Sequence, residues 1–410
     1  MCINTPPESD FRVLFNAART YSAGDYTFSN DNYFYEWAYQ TGFVIYQGIV
    51  IKILGAEKAL LALKLLNAVY SSMSCILIYC LAKNYVSEKT ARFSSLICAG
   101  LIFPLIFSTV LSNQHLSTFL ALLGLFIITD KNSKLHGMLR HVIAGFFLAL
   151  SNIIRPEGVL FLGSLLVAYL IRFIKPVNEK RRKIAMSYIV LLVIYFGTNF
   201  LADKAVIESG VNSAGLRNNN VLWKFVEGLN YESKGTYSQK DAELVFQQDL
   251  SREERKELEL SLIKERLKMG PKKWVQLMIN KQFCLWGDTP LFWTYRYLEK
   301  SKDSVMLFGR DVAFSKVTDL LDDYHSMQMF ILIALSLIGA YVGFRDKVNV
   351  DLLVYYLILL FTAGVYIIVE VQARYVYPAE YILIVPAAIG IERIYNLLLK
   401  IKQIKDMKEN

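Results

Sequence analysis

The sequence predicts an all-α, polytopic membrane protein with about nine transmembrane helices, and three observations predict it. Mean hydropathy is +0.33 over 410 residues, of which 54% are hydrophobic, more apolar than a soluble chain of this length. Apolar runs recur at lengths that reach or approach the ~20 residues a helix needs to cross a bilayer. The Lys and Arg behind the formal charge of +9 punctuate those runs instead of forming a basic face on a soluble module. They are therefore read as topology signals, with no nucleic-acid partner.

The runs lie at 58–83, 92–111, 114–129, 141–155, 157–174, 184–203, 326–344, 350–370 and 375–397. Their connectors alternate in charge. "AKNYVSEKTAR", "DKNSKLHGMLRH", "RFIKPVNEKRRK", "GFRDKVN" and the tail "KIKQIKDMKEN" hold roughly eighteen Lys and Arg, against about two in "SNQH", "RPEG" and "EVQAR". Positive connectors stay in the cytoplasm, which puts the C-terminus inside and, with an odd span count, residues 1–57 outside. The expected organisation is an external first loop (1–57), a first transmembrane bundle (58–203), an external helical segment (204–325), C-terminal transmembrane helices (326–398) and a basic cytoplasmic tail (399–410). A polar first loop needs something to carry it across, so a membrane helix is expected upstream of residue 1.

In the first loop, Phe11, Leu14, Phe15, Ala18 and Tyr21 fall near helical spacing and read as an amphipathic helix on the membrane surface, with Asp10 as its N-cap. "QTGFVIYQGIVIKILG" is too short to span and reads as a second interfacial helix. In the 204–325 segment, "SREERKELELSLIKERLK" predicts a solvated helix. Pro271 opens a more apolar helix whose Trp274, Phe283 and Trp286 suit an interface, and no paired strands are expected.

Polar groups beside a span are costly and mark candidate sites. Three short external turns carry them: Asn113 and His115 in "SNQHLS", Arg155 and Glu157 in "RPEG", Glu370, Arg374 and Tyr375 in "EVQARY". The predicted topology puts all three on the side of Asp10. A carboxylate there can take the proton of an attacking hydroxyl, and guanidinium forks can hold an anionic leaving group. The plainer reading pairs Arg155 with Glu157 and Glu370 with Arg374 at helix ends, leaves His115 at the interface, and lets Lys64 in the first span snorkel outward. The five cysteines and four histidines show no metal-ligand spacing, and Gly-rich phosphate loops, HExxH and GxSxG are missing, so no cofactor and no metal site are expected. A divalent ion near Asp10 and Asp31 is left open.

The external Asp before an amphipathic helix, then "YFYEWAYQTGFVIYQGIVIKILG", the "RPEG" turn, "EGLNYESKGTYSQKD" and "EVQARYVYPAEYILIVPA", together resemble glycosyltransferase family 39, the dolichyl-phosphate-mannose-protein mannosyltransferase-like members of the GT-C superfamily. The resemblance runs from about Asp10 to Tyr395 and is distributed over these stretches. It implies a GT-C-like bundle and an enzyme that moves a sugar from a polyprenyl-phosphate donor to an acceptor hydroxyl on a glycan, lipid or protein. It assigns Asp10 as catalytic base and, by placement, Arg155 and Arg374 as holders of the donor phosphate. Glu157, His115, Asn113, Glu370 and Tyr375 are then candidates for orienting substrates. Two departures from the family pattern stand out: Asp10 lacks an adjacent second acid, and the "SNQH" turn lacks the acid often found there.

The reaction so implied is one inverting displacement at the anomeric carbon. Lipid phosphate leaves readily, so one carboxylate and fixed positive charge suffice where an ordinary glycoside needs a second carboxyl group. The alternatives are a polysaccharide polymerase or ligase using lipid-linked sugars and, further off, a secondary transporter, for which internal repeats would be expected. The expected location is a plasma membrane with the catalytic face external.

Overall fold

The computed structural model describes the chain except for residues 1–5, 132–134, 136, 175–180, 247–249, 289, 293, 296–303, 308, 346–349 and 410. Eight of the nine expected spans correspond to single helices: α4 (Ala56–Ala82), α7 (Gln114–Thr129), α8 (Met138–Ile154), α9 (Gly158–Ile174), α10 (Arg181–Glu208), α15 (Phe314–Arg345), α16 (Val350–Ile368) and α17 (Tyr377–Glu409). By length and composition, five of them are long and apolar enough to cross a membrane, and α7, α8 and α9 are shorter apolar helices of 16, 17 and 17 residues. At 1.5 Å per residue those three reach roughly 24–26 Å, just under the hydrocarbon thickness of a bilayer. The fold is an all-α polytopic membrane bundle.

The second expected span, 92–111, is broken. Helix α5 (Glu88–Ala99) stops at Gly100 and α6 (Ile102–Phe107) restarts two residues later with Pro104 in its first turn, where a missing N–H costs little. The break is bridged by one side chain from α15. The Gln328 amide donates to the Gly100 carbonyl at 2.7 Å and accepts from the Ile102 N–H at 3.1 Å. Asn67 of α4 then donates to the carbonyls of Ser108 and Val110, holding the chain as it approaches α7. Backbone groups freed inside a bilayer need such partners.

Helix α1 (Ser9–Ser22) buries Leu14, Ala17 and Ala18 against α3 (Thr41–Leu54), while its Phe11 joins the main bundle core, so the amphipathic face expected on the membrane surface is a packing face. Its N-cap is Glu8; Asp10 lies inside the first turn, where a carboxylate complements the helix dipole. Between them come a 3₁₀ turn, Thr27–Asn30, and the short α2 (Asn32–Glu36), whose cap Asp31 accepts from the Tyr33 N–H at 2.8 Å. Lys64 does not snorkel outward: it is buried in the bundle.

The segment from 209 to 313 carries α11 (Val221–Gly228), α12 (Gln239–Phe246), α13 (Arg252–Arg266) and α14 (Pro271–Trp286). Helix α13 opens with a capping box between Ser251 and Glu254, but it is pinned rather than fully solvated. Arg255 reaches Glu36 at 2.7 Å, Arg266 reaches Asp241 at 2.8 Å, and Glu259 is buried, its carboxyl pushed up to about 7 by that burial. A short antiparallel hairpin, β1 (Ser304–Leu307) with β2 (Arg310–Ala313), was not expected from the sequence and leads directly into α15.

Candidate active site

The site is assembled from the three turns at one end of the bundle. Helix α8 must end before Pro156, and Arg155 takes the extended backbone that a following proline imposes. Its guanidinium donates through Nε to Glu157 Oε1 at 2.6 Å and through Nη1 to Asn113 Oδ1 at 3.1 Å. Asn113 in turn donates to Gln40 Oε1 at 3.1 Å and to the Ile154 carbonyl at 3.3 Å, so the first loop, the α7 start and the α8–α9 turn are tied together. Gly42 permits this approach: a Cβ there would sit 2.1 Å from the Ile153 carbonyl oxygen. Burial works against the Arg155 charge, but the Glu157 carboxylate holds the group above the ordinary guanidinium range. The Glu157 carboxyl is raised by burial against that same pull.

The third turn follows α16. Glu370 pairs with Lys224 of α11, not with Arg374, and this partner is invisible in the local sequence. Burial opposes the Glu370 charge, yet Lys224 lowers its pKa below the ordinary value. The Tyr375 hydroxyl donates to Glu370 Oε2 at 3.3 Å, and burial followed by the Glu370 charge pushes that phenol up to about 12. Arg374 donates through Nε to Gln372 Oε1 at 2.7 Å, while its carbonyl accepts from Gln114 at 2.7 Å. Gly228 lets α11 meet the turn, since a Cβ there would lie 2.2 Å from the Ile368 carbonyl oxygen.

Beneath the turn, the buried ammonium of Lys281 donates to the carbonyls of Gly228 at 2.7 Å, Val369 at 2.8 Å and Ile367 at 3.0 Å. It caps the end of α16, where carbonyls lack helical partners. Burial brings its pKa down to about 8. Close by, Glu227 is 0% exposed, its oxygens accept no hydrogen bond within normal geometry among the described residues, and Lys224 lies 3.6 Å away. Burial, then the charge of Glu370, pushes it up to about 9. The spacing of Lys224 and Glu227, three apart in the apolar "VLWKFVEG", was the only sequence signal for this pair.

Asp10 and Arg374 line one cleft of about 760 Å³, with Tyr237, Asp288 and Gln372 among its walls. Asp10 is exposed, and no hydrogen bond or ion pair engages it among the described residues. Arg374 is 9% exposed, and its guanidinium stands 5.3 Å from the ring centroid of Phe11, the residue after Asp10. Arg155 is not among the described lining residues: it stands behind the Tyr375 ring, 5.3 Å from the centroid, with Arg374 5.7 Å from the same ring. Tyr39, half-buried, lies within the field of these charges. Its phenol is raised chiefly by burial, with the charges of Lys224, Arg155, Glu370 and Asp10 all acting on it.

Two expectations change. His115 is not interfacial but buried, sharing a hydrogen bond of 2.7 Å between Nδ1 and the Tyr377 hydroxyl and one of 3.1 Å between Nε2 and the Phe107 carbonyl. Asn113 orients Arg155 and does not line the cleft, and Glu157 and Glu370 serve the turns in the same way.

No family model matches this chain, and no curated protein does. Among solved structures, it is similar to the archaeal oligosaccharyltransferase AglB from Archaeoglobus fulgidus in complex with an inhibitory peptide and a dolichol-phosphate, at 13% identity over 96% of this chain and 48% of that one, TM-score 0.50. It is also similar to the Archaeoglobus fulgidus oligosaccharyltransferase tethered with an acceptor peptide containing the NVT sequon, at 14% identity over 97% and 46%, TM-score 0.52. This chain spans about half the length of those proteins. The likeness is one of fold.

Proposed function

We propose that this protein is a membrane glycosyltransferase that moves a sugar from a polyprenyl-phosphate donor to an acceptor hydroxyl. The observation that carries the reading is the shared cleft: Asp10, an exposed carboxylate that no hydrogen bond or ion pair engages among the described residues, lines the same space as Arg374. The Asp10 carboxylate takes the proton from the acceptor O–H as its oxygen attacks the anomeric carbon. The bond from that carbon to the phosphate oxygen breaks, its electron pair leaves with the phosphate, and Arg374 holds the charge that develops. Arg155 acts as a positioning residue through Tyr375, since it stands behind that ring with Nε held by Glu157 and Nη1 by Asn113. The dolichol-phosphate bound to AglB is of the same chemical class as the donor assigned here.

The proposal includes a plasma-membrane location with the Asp10 end external and the C-terminus cytoplasmic, supported by the Lys and Arg bias of the connectors. Labelling of an engineered cysteine in the 211–218 loop by a membrane-impermeant reagent on intact cells tests this; protection of that site would reverse the orientation. The reaction itself is tested in proteoliposomes with labelled polyprenyl-phosphate mannose, glucose, galactose and an aminosugar, read as label on the acceptor. Equal transfer by wild type and Asp10→Asn removes Asp10 from the role of base.

A further inference from the structure

At the end of the bundle away from Asp10, a cavity of about 280 Å³ opens where α7 and α9 finish and α8, α10 and α16 begin. Lys131, Arg140, Arg172 and Lys183 line it, against Asp130 and Asp351, a surplus of positive charge. The cations differ in how far the protein already uses them. Arg140 donates through Nε and Nη2 to the carbonyls of Ile127, Ile128 and Asp130, Lys131 donates to the Asn84 carbonyl at 3.1 Å, and Arg172 lies 3.3 Å from Asp351. Lys183 is exposed, with no ion pair or hydrogen bond among the described residues.

An apolar groove of about 300 Å³ adjoins this cavity between α9 and α10, sharing Tyr169 and Ile184 with it. Its other walls include Leu170, which is 58% exposed, Phe173, Ala185 and Tyr188. Both helices are apolar along this stretch, so the groove faces lipid rather than water. A small anion would fill only the charged end. A molecule with an anionic head and an acyl tail matches both parts and their order.

We propose that this cavity and groove bind one anionic phospholipid, with its phosphate at Lys183 and Arg172 and an acyl chain along the α9–α10 groove. Basic pockets between helix ends are suited to such head groups because each cation near the membrane surface adds to the attraction. The site is separate from the cleft of Asp10 and does not rest on the glycosyl-transfer reading.

The test uses the purified full chain in a neutral detergent, with dioleoyl-phosphatidylglycerol, dioleoyl-phosphatidylcholine or glycerol phosphate added, read by thermal shift and by native mass spectrometry. Phosphatidylglycerol is expected to raise the melting temperature saturably and to be retained at one per chain, while the other two do neither. Lys183→Glu is expected to weaken phosphatidylglycerol binding by about fivefold or more. Ala185→Trp, which fills the groove and leaves every charge in place, is expected to weaken it as well. Both variants are compared at their lipid-free melting temperatures, so loss of fold is separated from loss of binding. Equal effects of phosphatidylcholine, equal effects of glycerol phosphate, or wild-type binding by both variants would overturn the proposal.

Discussion

Asp10 and Arg374 come from near opposite ends of the chain and line the same cleft, with Phe11 in contact with the guanidinium. A general base contributes typically 10²–10⁴-fold to a rate. Asp10→Asn keeps the size of the side chain and removes its basicity, so kcat for sugar transfer is expected to fall by roughly that factor. The apparent melting temperature should stay close to the wild-type value, because the side chain is exposed and only its small helix-dipole contribution is lost. Single-turnover transfer with saturating donor is the measurement.

Arg374→Lys keeps a positive charge but loses the planar fork and the contacts with the Phe11 and Tyr375 rings. The expected outcome is a fall of about tenfold or more in kcat/KM for the donor, corresponding to one charge-assisted hydrogen bond. A titration of donor concentration checks it. Full activity in the lysine variant would show that point charge alone holds the phosphate.

Gly228→Ala places a methyl group against the Ile368 carbonyl, where backbone must move. A loss of about 1–3 kcal/mol in stability is expected, the usual cost of overpacking, together with lost transfer as the Glu370 turn is displaced. Gly197→Ala in α10 is the control. Nothing lies within 4 Å of its Cβ, so alanine should be neutral or stabilising there. Parallel melting curves in detergent decide between them.

Glu227, raised to about 9 by burial and by Glu370, makes stability depend on pH in a definite direction. An unfolded carboxyl titrates near ~4.3, so between there and about pH 9 the folded state binds more protons than the unfolded one. Stability contributed by the protonated group is full at low pH and is lost as pH rises across that window. Glu227→Gln cannot titrate, and its melting temperature should fall less steeply than wild type from about pH 5 to about pH 9. Identical slopes would mean that Glu227 is ionised in the folded protein.

Much of the fold was legible because its causes are local. The apolar runs at 114–129, 157–174 and 350–370 match α7, α9 and α16 almost residue for residue, since hydrophobic length alone selects a helix in a bilayer. The run at 92–111 misled because composition is blind to where a helix stops. Gly100 and Pro104 permit the break, but Gln328, far along the chain, satisfies the groups it frees. The hairpin at 304–313 was missed for the opposite reason, being short and without a strong alternating pattern.

At the site, the Arg155–Glu157 pair was readable from a spacing of two residues around Pro156. The partner of Glu370 was not, because Lys224 sits on a helix brought in by the close approach at Gly228. Nothing in the interfacial helix opened by Pro271 marks Lys281 in the sequence, yet its ammonium closes three carbonyls at the foot of the turn.

By itself the sequence determined eight of the apolar helices and their order and gathered Asp10 and the three polar turns at one end, since hydrophobic length and alternating connector charge are written into short stretches of chain. Only the tertiary structure decided which of those polar groups face open space. It set Arg374 in the cleft with Asp10, placed Arg155 behind Tyr375, and committed His115 to the interior. A side chain's partner depends on the backbones that pack beside it, and those come from distant parts of the chain.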